Sequence, residues 1–255
     1  GVKFYLNLVL NCKEADENIN GKWERKRLTD DHLNKIKKEL YKKHFYDRGT
    51  IDMMIGAQAY ENQYHPRKNY LTECGFSYDG KKYIQQLSDC FLCSDGLFSL
   101  WLRKWLIAAV AKVFEGAQCP MLVLDGPQGI GKSLFTSWLC SDPKLKDYFY
   151  EGSIDPDNKD CKIRLTSKWV WEVSELGSTT RRADIDALKT FLTMRDVTER
   201  RPYGTNDEKR QALSCFIGTV NDASTGVLSD PSGTRRFLVS HLDSIDWDYS
   251  KNITP

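Results

Sequence analysis

The sequence predicts an α/β protein in which a mostly helical N-terminal region precedes a core built on a largely parallel β-sheet. In the second half of the chain, short and nearly continuous apolar runs alternate with helix-like patterns, which is typical of parallel strands buried on both faces. Before about residue 120, apolar side chains recur at helical spacing instead. We place the helical N-terminal region at residues 1–95 and the core domain at residues 96–255.

Three helices are predicted ahead of the first convincing strand. The first begins after the N-cap candidate Thr29, and we interpret its many lysines as a solvated face, with contact to DNA as the alternative. The second covers residues 50–60. The third covers residues 96–114, capped by Ser94 or Asp95, and its apolar residues on nearly all sides predict a buried helix.

The core domain is predicted from four apolar runs and the helical segments between them. The predicted strands contain residues 121–124, 169–171, 213–217 and 237–239. The intervening helices cover residues 133–140 and 183–192. This alternation predicts a buried, mainly parallel sheet.

Composition excludes several classes of protein. The chain has 255 residues, of which 40% are hydrophobic and 28% charged, a globular balance. Its longest apolar stretch, 101–113, contains three basic residues and is too short to span a membrane. The formal net charge of +2 means that any nucleic-acid site must be a local patch. Of eight scattered cysteines, only Cys90 and Cys93 have metal-like spacing, and no second pair completes a zinc site, so the cysteines indicate a reducing compartment.

The strongest motif follows the first predicted strand and reads G-P-Q-G-I-G-K-S, which fits G-x-x-x-x-G-K-[ST] at every fixed position. Glycines let backbone N–H groups surround a polyphosphate, Lys132 would reach the β- and γ-phosphates, and the Ser133 hydroxyl would bind Mg²⁺. The sequence therefore predicts a nucleoside triphosphate site. Its residues are Gly126, Pro127, Gln128, Gly129, Ile130, Gly131, Lys132 and Ser133.

Two carboxylates end the next predicted strand and are candidates for completing this site. Glu172 and Glu175 lie in K-W-V-W-E-V-S-E-L, and an acid there can hold Mg²⁺ or orient the attacking water. We favour Glu175 because it lies where the strand should end, while Glu172 is either a site residue or an exposed charge. A small-molecule kinase or GTPase is the weaker interpretation, since no N-K-x-D guanine signature occurs.

A family resemblance extends from about Trp23 to Leu242 and is carried by seven sequence blocks, in order and at sensible spacing. They are Y-H-P-R-K-N-Y-L (64–71), L-D-G-P-Q-G-I-G-K-S (124–133), W-E-V-S-E-L (171–176), L-K-T-F-L-T (188–193), D-V-T-E-R-R-P-Y (196–203), I-G-T-V-N-D (217–222) and L-S-D-P-S-G-T-R-R-F (228–237). The chain resembles the virulence-associated protein E family of phages and mobile elements. That family is related to superfamily 3 helicases and poxvirus-type primase-helicases.

The resemblance implies a P-loop NTPase core of the AAA+-like, superfamily 3 type that uses ATP and Mg²⁺. Glu175 would polarise the attacking water. Ser174 stands where many such motors have an aspartate, so the Mg²⁺ ligand stays open among Ser174, Glu172 and a bridging water. Asn221, which follows Thr219 at the end of a strand, would contact the γ-phosphate or the attacking water; a simple turn former is the alternative.

The resemblance also implies assembly and DNA binding. Arg235 or Arg236 would act on the nucleotide of a neighbouring subunit in a ring, expected to be hexameric; a solvated strand start or an ion pair with a carboxylate is the alternative. The segment 195–204 resembles a hairpin that grips single-stranded DNA, with candidate contacts from Arg200, Arg201, Tyr203 and Lys209. A surface hairpin whose charges only solubilise it is the other interpretation.

These inferences lead to one expected function and one alternative. We expect an ATP-dependent DNA helicase that serves replication of a phage, plasmid or genomic island in the bacterial cytoplasm. The alternative is a nucleotide-gated DNA-binding or origin-loading module without processive unwinding. Expected partners are single-stranded or forked DNA, further copies of the chain and a primase-type domain or protein, with no membrane involved.

Overall fold

The computed structural model describes residues 2–45, 47–174, 182–200, 207–221 and 236–255. The chain divides into two compact units, Gly1–Glu73 and Cys74–Pro255. This division comes earlier than the boundary after Asp95 that the sequence suggested.

The first unit contains a small β-sheet as well as helices. Its strands are β1 (Phe4–Asn7), β2 (Cys12–Ile19), β3 (Lys22–Arg27) and β4 (Gln63–Tyr64), and its helices are α1 (Asp30–Lys42), α2 (Arg48–Glu61) and the start of α3 (Pro66–Phe76). The sheet order is β3-β2-β1-β4, with β4 parallel to β1 and the other pairs antiparallel. The expectation of a mostly helical region is therefore wrong for residues 4–27.

The helix predictions of this unit are confirmed. The Thr29 side chain caps α1 by accepting a hydrogen bond from the backbone N–H of His32. Helix α2 includes the predicted segment 50–60 and buries Ile51, Ile55 and Ala59. Residues four apart lie on one face of a helix, so this spacing gives α2 the apolar face that packs in the core.

The second unit is built on a six-stranded sheet. Its strands are β5 (Phe91–Cys93), β6 (Met121–Gly126), β7 (Phe149–Glu151), β8 (Val170–Val173), β11 (Cys215–Asn221) and β12 (Phe237–Ile245). Their order is β5-β12-β6-β11-β8-β7, and every pair is parallel except β5 with β12. A separate antiparallel pair joins β9 (Asp196–Arg200) to β10 (Asp207–Gln211). The predicted parallel sheet is confirmed.

Helices flank this sheet. They are α4 (Tyr83–Asp89), α5 (Phe98–Glu115), α6 (Lys132–Trp138), α7 (Lys159–Ser167), α8 (Arg182–Thr193) and α9 (Tyr249–Asn252). One apolar cluster includes Met121, Trp171, Phe191 and Phe216, so side chains from these strands and from α8 pack together. Within the described ranges, no helix is both long and apolar enough to cross a membrane.

Helix α5 departs from its prediction in one respect. It buries Leu102 and Trp105, but Leu100 is 46% exposed and Ile107 57% exposed. The expectation of a helix buried on all sides is therefore wrong, because α5 packs in the core through one face only.

Candidate phosphate-loop site

The sheet topology brings three strand ends to one edge. Strands β6, β11 and β8 are neighbours and parallel, so their carboxyl ends lie together. In the register, Asn221 lies opposite Gly126, and Glu172 lies opposite Ile217. The phosphate-loop candidate leaves β6 at this edge and leads into α6.

Two glycines of the loop lie where a Cβ would overlap a neighbouring group. Gly131 has a φ of 98°, in the left-handed region, and a Cβ added there would overlap the ring of Trp247. A Cβ on Gly126 would overlap the backbone carbonyl of Leu242. The segment that includes β12 and Trp247 therefore packs directly against the loop, a contact that no sequence pattern announced.

Lys132 is held inside this loop. Its side-chain Nζ donates to the carbonyl oxygens of Gly126 and Pro127 at 2.6 and 2.7 Å, and the residue is only 5% exposed. The ammonium group therefore lies within the turn of backbone that the sequence assigned to phosphate. A polyphosphate entering this turn would meet a cation that is already positioned.

Glu172 is the acid that the structure brings to the loop. It is 0% exposed, and Thr136 of α6 donates a hydrogen bond to its Oε2. Burial raises the pKa of Glu172, while hydrogen bonds from Ser133, Thr136 and Thr219 oppose that rise, and the net shift is upward. Its Oε1 has no hydrogen-bond partner within the described part of the chain. The interpretation of Glu172 as an exposed strand-end charge is therefore wrong.

Ser174 and Arg236, two other residues predicted for the site, do not lie beside the loop as Glu172 does. Ser174 is exposed, whereas Glu172 interacts with Ser133. Arg236 immediately precedes β12, at the amino edge of the parallel strands, while the loop leaves the carboxyl edge. Four predicted site residues lie outside the described ranges: Glu175, Arg201, Tyr203 and Arg235.

The predicted hairpin is present as β9 and β10. Arg200 is exposed and lies opposite Asp207 in the register. The Lys209 side chain is 70% exposed, and its Nζ forms an ion pair with Asp196 Oδ2 at 3.2 Å. The hairpin tip, residues 201–206, is outside the described ranges. What the structure supplies here is the antiparallel pair that carries these charges.

A family comparison bears on these residues. The model of the virulence-associated protein E-like domain matches residues 71–254. The chain belongs to this family. The match includes the phosphate loop, Glu172 and the hairpin, and it confirms the resemblance of the sequence blocks that fall within it.

Solved structures show the same fold for this virulence-associated protein E-like domain. The A form apo structure of the NrS-1 C-terminal region aligns at a TM-score of 0.51 and 14% identity, covering 99% of this chain and 63% of that one. A second A form apo structure of the NrS-1 C-terminal region (305–718) aligns at a TM-score of 0.50 and 16% identity, with the same coverage of both chains. The chain thus spans less than two thirds of these structures. No curated protein matches it in sequence.

The oxygen donors of the virulence-associated protein E-like domain fit a divalent cation. Mg²⁺ prefers carboxylate and hydroxyl oxygens, and the loop offers Ser133 next to the buried carboxylate of Glu172. Glu172 Oε1 is buried and has no hydrogen-bond partner among the described residues, and such a carboxylate oxygen is costly unless a cation compensates it. This pair therefore suits Mg²⁺.

Two features of the site were not predicted from the sequence. Thr136 lies three residues after Ser133, which places both on one face of α6, and this spacing was the available signal. Asp125 and His241 form a pair with 2.7 Å between Oδ2 and Nδ1. Asp125 follows Leu124, the register partner of Thr219, so this pair lies on the sheet face opposite Thr219.

Proposed function

We propose that this virulence-associated protein E-like chain is an ATPase motor of the AAA+-like, superfamily 3 helicase type. It hydrolyses ATP to move along single-stranded DNA during replication of a phage, plasmid or genomic island in a bacterial cytoplasm. The observation that supports this best is that Lys132 lies within the loop carbonyls while the adjacent Ser133 interacts with the fully buried Glu172. An apolar core would not retain a carboxylate there without a cation or proton to match it.

Nucleotide binding would exchange the partners of Lys132. Its ammonium leaves the carbonyl oxygens of Gly126 and Pro127 and turns to the β- and γ-phosphates. This exchange is favourable because a hydrogen bond to an anionic oxygen is stronger than one to a neutral carbonyl. The loop backbone then supplies N–H donors to the same phosphates.

Ser133 and Glu172 would hold the Mg²⁺. When bound, the cation neutralises negative charge on the phosphate oxygens as it develops in the transition state. Glu175 would polarise the attacking water. Asn221 would orient that water or the γ-phosphate, and its position opposite Gly126 in the register supports this role.

Action between subunits is supported by the position of Arg236. The register runs Phe237 to His241 along Met121 to Asp125, so Arg236 is roughly 20 Å along the sheet from Gly126, at about 3.3 Å per residue. Arg236 is too far away to serve the phosphate loop of its own chain. An arginine at position 235 or 236 would instead stabilise charge on a neighbour's nucleotide, which requires a ring, expected to be hexameric.

DNA contact would come from the hairpin of β9 and β10. The exposed Arg200 and Lys209 flank a tip whose sequence includes Arg201 and Tyr203. Arginines neutralise backbone phosphates, and an aromatic ring can stack on a base. A primase-type domain or protein is the expected partner of the motor.

Hydrolysis and unwinding assays test this function together. We expect the wild-type chain to hydrolyse ATP faster with single-stranded DNA and to displace a strand from a forked duplex. ATP-dependent DNA binding without strand displacement would replace the motor by a nucleotide-gated or origin-loading module. Transfer of phosphate to a metabolite, with turnover unaffected by DNA, would contradict both.

A further inference from the structure

The hydroxyl group of Thr136 has two acceptors within reach. Thr136 is 0% exposed, and its Oγ1 lies 2.8 Å from the backbone carbonyl of Ser133 and in hydrogen-bond contact with Glu172 Oε2. A hydroxyl carries one proton, so it donates to one acceptor at a time. An ionised carboxylate is the stronger acceptor, and the proton therefore goes to Glu172 when Glu172 is charged.

A second hydroxyl reaches Glu172 from the neighbouring strand. Thr219 of β11 is 6% exposed, and its side chain also hydrogen-bonds Glu172. Glu172 lies opposite Ile217, and Thr219 follows Ile217 by two residues. Because side chains alternate between faces along a strand, Glu172 and Thr219 lie on the same face of the sheet. Two buried threonines, one on α6 and one on β11, therefore flank the same carboxylate.

We infer that Thr136 and Thr219 are positioning residues that fix the Glu172 carboxylate so that its free Oε1 faces a divalent cation held by Ser133. The inference rests on the proposed ATPase function. Thr136 takes up Oε2, and Oε1, which has no hydrogen-bond partner among the described residues, is left for the cation. Outer-shell hydrogen bonds of this kind orient metal ligands and commonly change metal affinity about 10- to 100-fold.

A structural role for Thr136 is the competing explanation. Buried threonines in helices often donate to the carbonyl three or four residues earlier, as Thr136 can to Ser133. In that case the hydroxyl would stabilise α6 and would have no effect on the cation. The two roles differ in whether the Mg²⁺ dependence of nucleotide binding responds to the hydroxyl.

The experiment compares Thr136→Val, Thr136→Ser and Thr219→Val with the wild-type chain. Valine keeps the shape of threonine and removes the hydroxyl, while serine keeps the hydroxyl. Equilibrium binding of a fluorescent ATP analogue is measured in EDTA and across a Mg²⁺ titration. We expect Thr136→Val to bind within about twofold of wild type in EDTA but to need at least about tenfold more Mg²⁺ for half-maximal enhancement. Thr136→Ser should restore the wild-type Mg²⁺ midpoint.

Several outcomes would overturn the inference. One is an unchanged Mg²⁺ midpoint in Thr136→Val and Thr219→Val; another is Thr136→Ser behaving like the valine variant. If Thr136→Val does not fold, as judged by its thermal transition, Thr219→Val on a different element decides the question by the same titration. A wild-type chain that binds no nucleotide, with or without Mg²⁺, would instead refute the proposed function.

Discussion

At the scale of single residues, the loop depends on close contact between Gly131 and Trp247. The glycine has a positive φ, and the indole ring occupies the space where a side chain would begin. Gly129 has a similar φ of 84°, but a Cβ added there would meet nothing within 4 Å. The chain therefore contains two loop glycines that share a backbone conformation strained for any residue with a Cβ and that differ in the space around them.

We predict that Gly131→Ala weakens ATP binding at least about tenfold, because strain of about 1–3 kcal/mol adds to a clash that moves the loop. Gly129→Ala is the matched control and should weaken binding less, through strain alone. Isothermal titration of both variants with Mg·ATP measures this difference. Equal losses in the two variants would show that the contact with Trp247 does not shape the loop.

Glu172 illustrates a residue whose function opposes stability. Its surroundings raise its pKa, mainly through burial, so ionising this carboxyl costs more free energy in the folded protein than in the unfolded chain. We predict that Glu172→Gln raises the thermal unfolding midpoint at pH 7 and lowers Mg²⁺-dependent hydrolysis at least about tenfold. Glu175→Gln is the comparison and should bind Mg·ATP normally while hydrolysing it poorly. A lower unfolding midpoint for Glu172→Gln would contradict this description.

At the scale of elements, the hairpin is where DNA contact can be tested. Lys209 pairs with Asp196 and is 70% exposed on its side chain, and Lys251 pairs with Asp248 and is 75% exposed. Lys251 is therefore a matched control for Lys209 in exposure and pairing. It lies in α9, outside the hairpin.

We predict that replacing Arg200, Arg201 and Tyr203 by alanine weakens single-stranded DNA binding and reduces its salt dependence. Each lost phosphate contact should lower the slope of log K against log salt by about 0.7. Lys209→Ala should have the same effect to a smaller degree, and Lys251→Ala should have none. Fluorescence anisotropy over a range of salt concentrations provides the measurement. Equal slopes for Lys209→Ala and Lys251→Ala would place the DNA site elsewhere.

The elements that could be predicted from the sequence are those whose signal is local. A side-chain cap at Thr29 began α1 as expected, and apolar runs located the parallel strands β6, β8, β11 and β12 but not β7. The first sheet was missed because all six residues of β3 are exposed, so no apolar alternation marks them. Its one local signal was the dipeptide Asn20-Gly21, both with positive φ, which is a common hairpin turn.

The candidate site was predictable to a similar degree. The loop motif itself identified Lys132 and Ser133, since a short pattern defines both. The sequence left open whether Glu172 or Ser174 lies beside Ser133. The answer depends on the register of β8 against β11, which a single sequence does not reveal. The contact of Trp247 with Gly131 joins residues far apart in the chain and likewise depends on the fold.

At the scale of the whole molecule, the position of Arg236 predicts that the active site forms between subunits. We predict that an Arg235→Ala/Arg236→Ala chain and a Lys132→Ala chain are each inactive but recover ATP hydrolysis when mixed. Random assembly places an intact loop against intact arginines at about a quarter of the interfaces. A coupled assay across mixing ratios measures the recovery. No recovery, in mixtures shown to co-assemble, would place the arginines in another role.

The most direct measurement is steady-state hydrolysis of Mg·ATP by the wild-type chain beside Lys132→Ala. Lys132 lies buried among the loop carbonyls, and its amino group is the cation that the phosphates would meet. We predict turnover by the wild type, loss of that turnover in the variant and a thermal transition that shows the variant is folded. Equal turnover by the two proteins would contradict the assignment of residues 126–133 as the nucleotide site.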